Sequence, residues 1–189
     1  MIRALVFDCF GVLYWDDLNR LYNLVSPDKF QDINDIIHAC DHGYITQEDF
    51  LNQVAALADI SVEAVVAVIH AKQRRNEPMI ERLRALKKDY KIGLLTNMGP
   101  GTLDTVFDET ERAELFDVMV ISSEVGMIKP SRDIFELTSE RLGVPASETV
   151  FIDDRPVNTD GAERTGMQTI LFTTNKQFDI ELDRLTEGQ

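Results

Sequence analysis

The chain has 189 residues, 44% of them hydrophobic and 28% charged, with a formal net charge of −14. That length allows one well-buried core plus a small second unit, and such a negative surface repels phosphate backbones, which argues against nucleic acid as a partner. No apolar run approaches the roughly 18 residues of a membrane-crossing helix, and the start, MIRALVFD, lacks the pattern of a secretory signal. A cytoplasmic protein without a membrane partner is expected, as a monomer or homodimer. Cys9 and Cys40 lie far apart and give no disulfide framework, so reduced thiols are expected.

In chain order, RALVF (3–7) reads as a strand covered on both faces, because its apolar run is short and continuous. Residues 15–77 then offer no convincing strand but several helix starts: Ser26-Pro27, Thr46 before QEDFLNQVAALA, and Ser61 before VEAVVAVIHAK. That last apolar stretch serves equally as an association surface or as the core of a small helical unit. A helix over 78–88 follows, with Met79, Leu83 and Leu86 along one side and Pro78 in its first turn. Strands at 91–95, 117–121, 149–152 and 168–172 then alternate with helices at 131–143 and 156–166, stopped by Gly143 and Gly166. The alternation predicts an α/β fold, a doubly wound parallel sheet. Its core would comprise 1–14 and 78–189, with a helical insert at 15–77.

Ligands of open α/β sheets bind beyond the carboxyl ends of the strands. The first strand ends in Asp8, the second in Thr96-Asn97, and the fourth in Asp153-Asp154, while Lys129 comes from a loop before a helix that can reach the same edge. A carboxylate can attack phosphorus and divide hydrolysis into two steps. Carboxylate oxygens hold Mg²⁺, a hydroxyl and an amide suit phosphoryl oxygens, and a lysine offsets the crowded negative charge. Each residue has a plainer reading alone: Asp8 and Thr96-Asn97 as turn residues, Asp153-Asp154 as a helix cap, Lys129 as a surface lysine.

Asp8, Thr96-Asn97, Lys129-Pro130 and Asp153-Asp154 with Asn158, in that order, resemble the four motifs of the haloacid dehalogenase superfamily of hydrolases. The phrases DCFGVLY, LLTNM, IKPSRDIF and FIDDRPVNTDGA look most like its short-capped phosphatases, which include bacterial glucose-1-phosphate phosphatases and the phosphatase domain of soluble epoxide hydrolases. The resemblance spans essentially the whole chain and makes 15–77 the helical cap. It implies Asp8 as nucleophile and metal ligand, Asp154 as a second Mg²⁺ ligand, and Thr96 and Asn97 as phosphoryl-binding residues. Lys129 would steady nucleophile and phosphate, and Asp153 and Asn158 would orient the metal ligands or waters. The implied substrate is a small phosphorylated metabolite, with sugar phosphates the first choice.

Position 10 departs from the pattern. Most phosphatases of the superfamily carry an Asp there, which protonates the leaving group and offers its backbone carbonyl to the metal. Phe10 keeps the carbonyl and loses the proton, and general acid–base help is worth about 10²–10⁴-fold. Asp16 or Asp17 would be alternative sources of the acid. Two rival readings follow from Phe10: a member that binds a metabolite or protein partner with little turnover, and a haloacid dehalogenase, which the Asp153-Asp154 pair opposes.

Two further clusters have ordinary explanations. His38 and His42 share a helix face near Cys40, but zinc would want more ligands than the flanking sequence supplies, and Gly43 marks a helix end. Cys9 lacks the anion-cradling loop and arginine of a cysteine phosphatase and reads as a buried thiol.

Overall fold

A short apolar run becomes a doubly covered strand when alternate side chains find partners above and below the sheet. In the computed structural model, which describes residues 1–15, 19–71 and 74–186, β1 (Ala4–Phe7) behaves in this way. Leu5 and Phe7 pack with Ile92, Leu94 and Ile152 on one face. Ala4 and Val6 pack with Leu95, Val120 and Phe135 on the other.

After β1 the chain turns through β2 (Tyr14–Trp15), which pairs antiparallel with β3 (Arg74–Arg75). This ribbon corrects the expectation that 15–77 holds no strand: two-residue strands are too short to carry a periodic pattern. Arg75 pairs with Glu111 and lies over the Tyr14 and Phe107 rings, which ties the ribbon to the core.

Between these strands run α1 (Asn19–Tyr22), a 3₁₀ turn at Pro27–Lys29, α2 (Phe30–Asp41), α3 (Gln47–Ala58) and α4 (Val62–His70). The expected helix starts hold: Ser61 accepts from the Ala64 N–H, and Thr46 forms a reciprocal capping box with Asp49. Leu21, Ile33, Phe50, Val54 and Val65 give the segment its own apolar cluster. No single helix among the described residues is long and apolar enough to cross a membrane.

The remaining elements are α5 (Glu77–Leu86), β4 (Lys91–Thr96), α6 (Leu103–Val106), α7 (Glu109–Leu115), β5 (Val118–Ile121) and α8 (Ser122–Val125). They continue with α9 (Arg132–Leu142), β6 (Thr149–Asp153), α10 (Pro156–Glu163), β7 (Gln168–Leu171) and α11 (Asn175–Thr186). Helix α11 lies beyond the elements expected from the sequence: it is mostly polar, buries Phe178 and Leu182 and sets Phe178 against Phe7 at 5.8 Å between ring centroids.

The five-stranded parallel sheet has the order β5-β4-β1-β6-β7, with Phe7 opposite Leu94 on one side and Ile152 on the other. The chain builds outward from β1 through β4 and β5, then returns to add β6 and β7. The reversal falls beside β1, where such sheets open a crevice at their carboxyl edge.

Candidate active site

Asp8 is the first residue past β1, Thr96 closes β4 and Asp153 closes β6. Since β4 and β6 flank β1, the register brings these side chains to one edge. Lys129, on the loop before α9, is 3% exposed and forms ion pairs of 2.8 Å with Asp8 and 2.7 Å with Asp153. Its ammonium also stands 5.4 Å above the Phe151 ring centre. Burial alone would lower the Lys129 pKa, but the charges of Asp8 and Asp153 outweigh it and hold the ammonium above its ordinary value.

Asp153 is fully buried and saturated with donors. Besides Lys129, the Arg155 N–H donates to its Oδ1 at 2.9 Å, and the Asn158 amide donates to both oxygens at 3.0 Å. Asp153 and Asn158 therefore hold each other, and Asp153 holds the Lys129 ammonium. For Asp8, the Cys9 N–H (2.7 Å) and Lys129 (2.8 Å) both fall on Oδ1, which leaves Oδ2 for a further ligand or an electrophile.

Asp154 is exposed and aimed into the same space. Oxygens of Asp8, Asp153 and Asp154 lie within 4.8 Å of one another. Gly11 makes that approach feasible: it has φ +93°, and a Cβ there would sit 2.3 Å from the Asp154 carboxylate. The Phe10–Gly11 backbone thus borders the acidic group. Three carboxylates face one ammonium, an excess of negative charge that fits a divalent cation. Burial pushes the Asp8 carboxyl up to about 8 against the pull of Lys129, with Asp153 and Asp154 adding to the rise. Nearby positive charge is what would keep Asp8 ionised.

Thr96 and Asn97, both expected to hold phosphate, differ in their partners within the chain. The Thr96 hydroxyl is buried without a hydrogen-bond partner among the described residues, a state that costs free energy unless a ligand meets it. The Asn97 side chain instead clamps the backbone of Lys129, accepting from its N–H at 2.8 Å and donating to its carbonyl at 3.1 Å. Both residues line a cavity of about 680 Å³ that also contains Asp8, Phe10, Lys129, Asp154 and Asn158. The opposite wall is helical and amphipathic, with Leu21, Ile37, Phe50 and Ile69 beside Asn34, His38, Asp41 and Gln47.

Asp41 is the residue on this wall that the sequence reading missed. It lies inside HACDH, where the two histidines and the cysteine drew the zinc question, and no periodicity marks it. The structure ends α2 at Asp41 with His42 as its cap, as Gly43 implied. Among the described residues the acidic trio is the group able to hold a metal, and it includes neither histidine. Cys9 is a buried thiol outside any disulfide. Asp16 and Asp17 lie outside the described residues.

Residues 2–166 match the haloacid dehalogenase-like hydrolase family. The chain is 24% identical to a sesquiterpene phosphatase of Aspergillus oryzae, over 97% of this chain and 96% of that protein. It is 22% identical to a drimenol cyclase of Aspergillus calidoustus over 98% of this chain, which spans 37% of the cyclase's length. In fold it resembles an enzyme of Bacteroides thetaiotaomicron solved with magnesium and inorganic phosphate, at 24% identity and a TM-score of 0.77, over 93% of this chain and 96% of that one. The chain belongs to the haloacid dehalogenase-like hydrolases.

Proposed function

We propose that the protein is a metal-dependent phosphatase of small phosphorylated metabolites that works through a phosphorylated Asp8. The observation that carries the reading is the buried Asp8–Lys129–Asp153 arrangement, with Asp154 beside it and, in the same cavity, a Thr96 hydroxyl that has no partner among the described residues. The phosphatase among its relatives and the magnesium and phosphate in its structural neighbour support it.

Asp8, Asp154 and the Phe10 carbonyl would hold Mg²⁺, which when bound neutralises phosphoryl oxygens and helps to orient the ester. Asp8 Oδ2 attacks phosphorus in line with the leaving oxygen, giving an acyl phosphate as the P–O bond to the leaving group breaks and the departing oxygen takes up a proton. Lys129 balances charge on the phosphoryl group and keeps Asp8 in register. The Thr96 hydroxyl donates to a phosphoryl oxygen, and Asn97 fixes the Lys129 loop. Water then cleaves the acyl phosphate. Helices α1 to α4 would act as the cap over this chemistry, rooted at the β2–β3 ribbon, and would keep bulk water from the transfer.

The amphipathic wall suits organic groups with both hydroxyls and apolar carbon, so sugar phosphates and aliphatic phosphates both belong in the test. Phosphate release from such a panel, with and without Mg²⁺, should require the ion and vanish in Asp8→Asn. Phe10 favours a second reading, binding without turnover. A tightly retained metabolite with no hydrolysis of any ester or acyl phosphate would establish that reading instead.

A further inference from the structure

Phe10 leaves the proposed reaction without a proton source at the usual place, yet an alkoxide is a poor leaving group. A compensating acid must face the same cavity, be held in place, and carry a proton near neutral pH. Asp41 meets each requirement. It ends α2 and lines the cavity shared with Asp8, Phe10 and Lys129.

The end of α2 is fastened to the catalytic edge. The Ser122 hydroxyl, completely buried, donates to the Asp41 carbonyl at 2.6 Å and accepts from the Met98 N–H at 2.9 Å, two residues beyond Thr96. Two residues past Asp41, Gly43 adopts φ +74° so close to the core that a Cβ there would sit 2.3 Å from the Ser123 carbonyl. This contact admits no side chain. Asp41 is thus anchored to the core although its helix belongs to the insert. Burial pushes its carboxyl up to about 7, with Lys129 and Arg155 pulling the other way.

We infer that Asp41 is the general acid–base of this enzyme, supplied by the helical insert in place of an acid at position 10. The assignment rests on the phosphatase reading. As Asp8 Oδ2 bonds to phosphorus and the P–O bond to the leaving group breaks, the Asp41 carboxylic proton passes to the departing oxygen. The alcohol leaves, and Asp41 remains as carboxylate. Asp41 then takes a proton from the attacking water as its oxygen bonds to phosphorus and the Asp8–phosphorus bond breaks. Inorganic phosphate departs, with Asp8 ionised and Asp41 protonated again.

The test uses the full chain with Mg²⁺, ethyl phosphate as an ester with a poor leaving group, and p-nitrophenyl phosphate as one with a good leaving group. Asp41→Asn should lower kcat/KM for ethyl phosphate by about 10²–10⁴-fold. With p-nitrophenyl phosphate it should give a stoichiometric burst of nitrophenolate followed by slow turnover, because the first step no longer needs the acid while the second still needs the base. Asp41→Glu should retain more activity than Asp41→Asn at a similar melting temperature, which separates lost chemistry from lost folding. Phe10→Asp added to Asp41→Asn should restore turnover of ethyl phosphate by about tenfold or more. An active wild type beside an equally active Asp41→Asn overturns the assignment alone. A wild type that releases no phosphate from either ester overturns the phosphatase reading and the assignment with it.

Discussion

The sheet edge and the helical insert face each other across one cavity but are built on opposite terms. At the edge, polar groups are buried and hold one another: Asp153 takes bonds from Lys129, Asn158 and the Arg155 backbone, and Lys129 is clamped by Asn97. The insert has a small apolar cluster of its own and presents a mixed wall. A saturated buried network has one good arrangement and loses heavily when a member is removed, whereas a mixed wall tolerates change and alters preference. On the phosphatase reading, reaction type would belong to the edge and substrate choice to the insert, with Asp41 as the crossing point.

The largest effect should come from the centre of the edge. Asp8→Asn is expected to reduce kcat by at least about 10⁴-fold, the order seen when a member of a catalytic set is lost, with the circular dichroism spectrum unchanged. Lys129→Met should strike stability as well, since two carboxylates would lose their buried partner. Urea unfolding of the metal-free protein should show a loss of about 3–5 kcal/mol. An effect below 1 kcal/mol would put this network on the same footing as the insert.

The acidic excess should also make metal-free stability depend on pH. Asp8 and Asp41 carry raised carboxyl pKa values, about 8 and about 7. Between the ordinary carboxylate range and those values the native state binds more protons than the unfolded chain. Stability without metal should therefore fall as pH rises from about 4 towards 8. Mg²⁺ should oppose that fall, by about 2.7 kcal/mol at a free concentration 100 times its Kd, or roughly 5–10 °C in a chain of this size. A melting temperature indifferent to Mg²⁺ at pH 8 would remove the ion from the site.

The insert should respond more gently. Ile37→Ala on the cavity wall should change the ratio of kcat/KM between a long aliphatic phosphate and a sugar phosphate by about tenfold, the scale of a lost apolar contact. Thr46→Ala breaks the capping box of α3 and should cost about 1 kcal/mol, with urea unfolding as its measure. If either substitution rivalled Lys129→Met, the division between rigid edge and tolerant wall would fail.

Much of the fold was legible because its signals are local. Continuous apolar runs marked the sheet strands, and Ser61, Thr46, Gly143 and Gly166 marked helix ends. The ribbon Tyr14–Trp15 with Arg74–Arg75 was not legible, since its strength comes from cross-chain pairing and from Arg75 reaching Glu111. Helix α11 was missed because its apolar face is narrow and only Phe7 and its neighbours give it a reason to dock. The clamp of Asn97 on the Lys129 backbone was not legible either, for an amide's partners depend on what comes within hydrogen-bond reach.

By itself the sequence determined which groups stand at strand ends, because a buried parallel strand must be apolar until it leaves the sheet and polar where the crevice begins. That rule selected Asp8, Thr96 and Asp153-Asp154, and the resemblance to the family's motif then marked Phe10 as the exception. Only the tertiary structure decided what answers the exception. Asp41 is 33 residues from Asp8 in sequence, on a helix whose own pattern gives no sign of chemistry. It meets the site because Ser122 and Gly43 fasten the end of that helix to the sheet edge, through contacts between distant segments that no local pattern encodes.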